Sequence, residues 1–184
     1  MVPPTRLETP RLFLRQPTPD DAASIYAGYA RDPEVTRYVI WQPHPDLDTT
    51  RAFVQGCVEA WGQGTRFPWV ITTRSPEQLI GMIELRIAGH RADLGYVLAR
   101  PHWGRGLATE AVRAVVGWAL DQPEIHRVWA VCDVENLASA RVLEKAGMQR
   151  EGILRRWLRH PGVSETPRDC LCYARIREPG RSIS

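Results

Sequence analysis

The residues with the clearest chemical potential form the run Trp103-Gly104-Arg105-Gly106-Leu107-Ala108-Thr109-Glu110-Ala111, directly after the apolar stretch Leu94 to Ala99. The pattern predicts a strand, a glycine loop and a helix. Gly104 and Gly106 let the backbone approach a ligand closely and turn successive N–H groups outward. The first turn of a helix adds donors without intrahelical partners and a partial positive charge, which suits a phosphate or pyrophosphate. Arg105 can add a full charge. Taken alone the loop is a weak signal, because glycines are common in tight strand–helix turns for steric reasons. Two nucleotide motifs are excluded. The chain has no GxxxxGK[ST], and Lys145, its one lysine, lies far downstream. Ala108 and Thr109 follow Gly106 where a dinucleotide fingerprint needs a third glycine.

Two carboxylates are candidates for proton transfer. Glu84 sits among Ile80, Met82, Ile83 and Leu85, where an unpaired charge is costly unless it faces a cleft. Asp93 opens the strand that leads into the anion loop. Each also reads as an ordinary exposed or edge carboxylate. Farther on, Asn136 is placed to cap a short helix, with Ser139 in its first turn. Metal chemistry is not expected. Cys57, Cys132, Cys170 and Cys172 form no CxxC and read as buried small hydrophobes. His44, His90, His102, His126 and His160 form no ligand pair.

The surrounding chain fits one domain. A chain of 184 residues with 43% apolar and 24% charged residues can bury a core without disulfide or metal staples. A net charge of +3 is too weak to argue for nucleic acid and suits a small anionic ligand at least as well. Arginine outnumbers lysine along the whole length, which reads as a compositional bias rather than a binding patch. No apolar run is long enough to span a membrane, and the opening MVPPTRLETPRLFLRQ has no h-region, so the expected compartment is the cytoplasm.

Strands are predicted at Arg11 to Arg15, Phe67 to Thr73, Leu79 to Ile87, Ala92 to Ala99, Arg127 to Cys132, Met148 to Leu158 and Arg168 to Ile176. Helices are predicted from Asp20 or Asp21 through Tyr26, briefly after Asp32, from Thr49 to Trp61, from Gly104 to Leu120, and from Asn136 to Gly147. In the Thr49 helix, Phe53, Cys57, Ala60 and Trp61 form the expected apolar face. The result is an α/β domain of the α+β type. Its mixed sheet of about seven strands is mostly antiparallel, with one strand–helix–strand unit at the centre.

With these motifs in family order and spacing, the chain resembles the GNAT acetyltransferases. Trp103 to Ala111 is similar to their pyrophosphate loop, and Asn136 to Met148 to their second cofactor motif. Thr9 to Arg15, Leu79 to Leu85 and Asp169 to Tyr173 resemble the RimJ/RimL branch, which acetylates ribosomal-protein N-termini. The resemblance runs over residues 6–177, leaving short tails. It implies acetyl-CoA as donor, a primary amine as acceptor, no metal, and a splayed central strand pair with a slot for the pantetheine arm. Tyr96, Val97 and Leu98 would bind that arm and polarise the thioester carbonyl. Trp103, Gly104, Arg105, Gly106, Leu107, Ala108 and Thr109 would hold the pyrophosphate, and Asn136 and Ser139 would lie beside the sulfur end. Glu84 or Asp93 would serve as base. The position where many members carry an acidic Tyr is Leu143, which leaves Ser139 or water as proton source.

The expected acceptor is a protein or peptide α-amine. A small-molecule amine (an amino acid, polyamine or aminoglycoside) and a non-catalytic CoA-binding module are the alternatives. Neither nucleic acid nor membrane is an expected partner, and the expected oligomeric state is monomer or homodimer. The acceptor-binding segments, Asp32 to Thr50 and Arg155 to Arg168, carry Trp41, His44, Trp157 and several Arg without a selectivity motif.

Overall fold

A computed structural model describes residues 2–178. Eight strands form one sheet in the order β1-β2-β3-β4-β5-β6-β8-β7: β1 Arg6–Glu8, β2 Leu12–Arg15, β3 Arg66–Thr73, β4 Leu79–Ala88, β5 Arg91–Leu98, β6 Arg127–Asp133, β7 Gln149–His160 and β8 Ser164–Ile176. All neighbours are antiparallel except β5 and β6. The helices are α1 Ala22–Ile25, α2 Pro33–Thr36, α3 Leu47–Gln63, α4 Leu107–Asp121 and α5 Leu137–Lys145.

Helices cover both faces, so the sheet is the middle of three layers. On one face, α4 presents Ala111, Val112, Val115, Val116 and Ala119, all fully buried, and α5 adds Ala140 and Leu143. These pack on Ile83 and Leu85 of β4 and Val128 and Ala130 of β6. On the other face, Ile25, Tyr29, Val54 and Cys57 pack on Val70 and Met82. Trp61, at the end of α3, meets Phe67 and Trp69 edge-on, each at 5.3 Å between ring centroids. All four cysteines are buried and unpaired, as their setting in the sequence led us to expect.

Several boundaries differ from expectation. The sheet has eight strands rather than seven, because Arg6–Glu8 pairs with β2. That strand has three residues and no apolar alternation, so it gives no periodic signal. The helix expected after Asp20 is broken into a 3₁₀ turn Pro19–Asp21, the short α1, and a π turn Tyr26–Ala30. The third helix starts at Leu47 because Asp46, not a later residue, caps it by accepting from Thr49 N–H at 2.7 Å. Its buried face includes Thr50 and Val54, while Phe53 is only partly covered. Helix α4 starts at Leu107, with Gly104 in the loop before it.

The β7–β8 hairpin is longer than the sequence suggests. Strand β7 is the sheet edge, and its register shifts between Arg150 and Gly152, between Leu154 and Leu158, and between Leu158 and His160. Arg156 adopts a φ of 47°, the one positive value among the described non-glycine residues.

Candidate active site

The parallel strands β5 and β6 pair only at Arg91 with Arg127, Ala92 with Val128, and Asp93 with Trp129. Beyond Asp93 they diverge, while β5 stays paired to β4 as far as Leu98. The divergence leaves Leu94 to Leu98 with a sheet neighbour on one side only. This is the fork expected at the centre of the sheet.

At the open end of the fork, Trp103 Nε1 donates to the Leu98 carbonyl at 2.6 Å. The chain then turns through Gly104 and Gly106, whose φ values of 73° and 75° are left-handed and suit glycine. Gly106 is the N-cap of α4, and no side chain caps the helix there. The first-turn N–H groups of α4 are therefore not consumed by a protein side chain. Leu107 and Thr109 are buried, whereas Trp103, Gly104, Arg105 and Gly106 are exposed. His102, just before the loop, has a buried Nδ1 without a partner, and burial, followed by the nearby Arg105 charge, lowers its pKa. A cavity of about 650 Å³ flanks the loop–helix junction, lined in part by Thr9, Arg11, Gly106, Thr109, Glu110 and Arg113.

Asn136 caps α5, its Oδ1 accepting from Ser139 N–H at 3.1 Å. The preceding turn is fastened by Asp133, which accepts from Glu135 N–H at 2.9 Å and from Arg168 Nε at 2.6 Å. Burial alone would raise the pKa of Asp133, but the Arg168 hydrogen bonds and charge and the Glu135 N–H hold it below the usual carboxylate range. Across the fork, the Tyr96 hydroxyl lies 2.8 Å from Ser139 Oγ. Burial raises the Tyr96 pKa, so the phenol is protonated at neutral pH. Cys132 is close by, and burial pushes its thiol up to about 12 against an opposing hydrogen bond from Ser139. The resemblance points to the Tyr96 backbone; its hydroxyl is not legible in the sequence, because no spacing announces a contact with a residue on α5.

Neither carboxylate stands free. Glu84 is held by Arg66, at 3.3 Å to Oε1 and 2.9 Å to Oε2, and by Arg86 at 3.0 Å to Oε1. Asp93 is held by Arg86 through Oδ2, at 2.7 and 2.5 Å. Arg86 thus bridges the two, since Glu84 faces Gly95 and Arg86 faces Asp93 in the β4–β5 register. Both Glu84 oxygens are occupied, and both contacts of Asp93 fall on one oxygen.

The two segments expected to receive the acceptor do meet. A Cβ on Gly162, at the β7–β8 tip, would lie 2.9 Å from the Arg37 Cα and carbonyl oxygen, so only glycine fits there. Trp41, His44 and Phe53 instead pack on one another, at 5.0, 6.4 and 5.5 Å between ring centroids. His44 Nδ1 is also 2.8 Å from Thr50 Oγ1, and burial lowers its pKa. Trp157 is about half exposed. Among the described residues no cluster of His, Cys, Asp or Glu is arranged to hold a metal ion, and no helix is long and apolar enough to cross a membrane.

This geometry agrees with the similarity of the chain to known proteins. The family described as Acetyltransferase (GNAT) domain matches residues 11–149. The chain is 33% identical over 174 residues to uncharacterized N-acetyltransferase YoaA of Bacillus subtilis, covering 93% of this chain and 96% of that protein. It is 26% identical over 168 residues to the [ribosomal protein uS5]-alanine N-acetyltransferase of Escherichia coli, covering 85% of this chain and 84% of that one. The crystal structure of a GNAT-family acetyltransferase from Bacillus anthracis superposes with a TM-score of 0.81 at 25% identity, covering 94% of this chain and 98% of the other. With the forked sheet, the glycine loop and a family match over most of its length, the chain belongs to the GNAT family of N-acetyltransferases.

Proposed function

We propose that the protein transfers the acetyl group of acetyl-CoA to a protein or peptide N-terminal α-amine, with both substrates bound at once, and that the domain spans residues 6–177. The carrying observation is the fork between β5 and β6, which opens onto an uncapped helix N-terminus behind two left-handed glycines. These features fit a long donor with an anionic head and an extended arm. Acetyl-CoA supplies an activated thioester. The backbone of Trp103 to Ala108, with Thr109 in the first turn of α4, receives the pyrophosphate. The backbone of Tyr96, Val97 and Leu98 lines the arm and polarises the carbonyl.

The amine must be deprotonated before it attacks. Asp93 is the better-placed base, because it stands where the fork begins and its Arg86 contacts leave Oδ1 open. The contacts of Glu84 with Arg66 and Arg86 suit it to holding Arg86 in place. On the leaving side, Ser139 is too weak an acid to act alone. The protonated Tyr96 phenol, 2.8 Å from Ser139 Oγ, orients the Ser139 hydroxyl so that it can donate a hydrogen bond to the departing thiolate, whose proton comes from water.

The α-amine reading is supported by the likeness to the uS5-alanine acetyltransferase along most of the chain and by the RimJ/RimL-type motifs. A thiol-release assay with acetyl-CoA tests it against a panel of N-terminal peptides, free amino acids, polyamines and aminoglycosides. Turnover of peptides above the free amines is expected. Turnover of a small amine alone would replace the acceptor class, and CoA binding without any turnover would leave only a binding module.

A further inference from the structure

Glu110 lies in the first turn of α4, four residues after Gly106, whose carbonyl accepts from Glu110 N–H at 3.1 Å. A carboxylate this close to a helix N-terminus competes with an incoming anion, either by charge or by folding back onto the free N–H groups. Here it is turned aside. Thr9 Oγ1 donates to its Oε1 at 2.6 Å, Arg11 N–H to the same oxygen at 2.9 Å, and Arg11 Nε to Oε2 at 2.6 Å. Burial alone would raise the pKa of Glu110, but these donors together with the Arg11 charge lower it, so it remains an anion in need of its partners. The N-terminal turn is itself fixed to the sheet, with Thr9 Oγ1 accepting from Leu12 N–H at 2.9 Å and Arg74 donating to the Thr9 carbonyl at 2.8 Å.

The same guanidinium makes a second contact. Arg11 Nη1 donates to the Arg105 carbonyl at 3.0 Å, inside the glycine loop. In a trans peptide the carbonyl and the following N–H point in opposite directions. Anchoring the Arg105 carbonyl on Arg11 therefore aims the Gly106 N–H away from Arg11 and from Glu110. We infer that Arg11 is a positioning residue for the donor: it neutralises Glu110 and fixes the Arg105–Gly106 peptide so that its N–H is presented to the pyrophosphate. Thr9 assists by holding Glu110. This inference rests on the reading that the loop binds the pyrophosphate.

Calorimetric titration with CoA and with pantetheine, which lacks the pyrophosphate, tests it on Arg11→Ala, Arg11→Lys and Gly106→Val. Arg11→Ala is expected to weaken CoA binding about tenfold, in line with losing charge-assisted hydrogen bonds, and to leave pantetheine binding within about twofold. Arg11→Lys keeps a cation for Glu110 but has no fork to reach Arg105 as well, so it should show the same selective loss at smaller size. It also covers the case in which Arg11→Ala fails to fold. Undiminished CoA affinity in the folded Arg11 variants, or equal weakening of both ligands, overturns the inference while a damaging Gly106→Val leaves the loop reading standing. Undiminished CoA affinity in folded Gly106→Val removes the loop reading, and the inference with it.

Discussion

The Tyr96 hydroxyl and Ser139 Oγ face each other at 2.8 Å across the fork where β5 and β6 diverge. One belongs to the strand that keeps its partner and the other to the helix that follows the diverging strand. The pair therefore joins both walls of the fork through side-chain hydroxyls, and the Tyr96 hydroxyl also donates to the Ser139 carbonyl at 3.3 Å. Leu143, on the same helix, is fully buried and packs into the core.

The first prediction follows from that pair. Tyr96→Phe removes the phenolic proton but preserves the ring, and Ser139→Ala removes the hydroxyl nearest the expected sulfur. Each should lower kcat by about tenfold, and the double variant should cost little more than either alone, because the two act in series. Presteady-state thiol release gives the answer, and independent, multiplicative losses would show that Tyr96 does not act through Ser139.

Proton removal from the amine can be read from pH profiles. Asp93→Asn should lower kcat/KM about 100-fold below the pKa of the amine and recover at higher pH, where the acceptor deprotonates unaided. Glu84→Gln should lower the whole profile without changing its shape, through a displaced Arg86. Exchange of these two behaviours would make Glu84 the base.

Asn136→Ala should weaken CoA binding and cost about 1 kcal/mol of stability, since the cap to Ser139 N–H is lost along with any contact to the donor. Urea denaturation and calorimetry separate the two effects. Asn136→Asp, which can still accept from Ser139, should restore the stability but not the affinity.

Acid should unfold the protein partly through Asp133. Its folded pKa is lowered, so its stabilising contribution is complete above the ordinary value of 3.8 and is lost as pH falls through the lower folded value. Glu110 behaves alike from its ordinary value of 4.5 downward. Between pH 5 and pH 2, denaturant midpoints should fall more steeply for the unchanged protein than for a folded Asp133→Asn variant. Parallel curves would assign acid lability to other groups.

The sequence was informative where structure is local. The run from Leu94 through α4 and β6 to Asn136 carries a glycine loop, helical periodicity and a capping residue within a short span, and each of these signals arises between near neighbours. The fork was expected only through the family resemblance, since nothing in Leu94 to Leu98 itself says that its partner strand departs. What stayed hidden depends on register and distance. Whether Glu84 is free depends on Arg66 lying diagonal to it on β3, and Thr9 meets Glu110 across 101 positions. The break in the helix expected from Asp20 or Asp21 through Tyr26 is hidden because Ala22, Ile25 and Tyr29 keep a helical spacing into a π turn of different pitch.

The irregular outer strand has a consequence for how copies of this chain can associate. A sheet grows by adding a strand along an unbroken row of N–H and C=O groups. One end of this sheet offers only the three residues of β1, and the other offers β7, interrupted three times and bent at Arg156. Among the described residues neither margin offers a long, regular row of such groups, which disfavours ladder pairing between copies. Such margins favour association of copies through side chains on the helical layers or loops over strand addition, and they disfavour open-ended fibre growth.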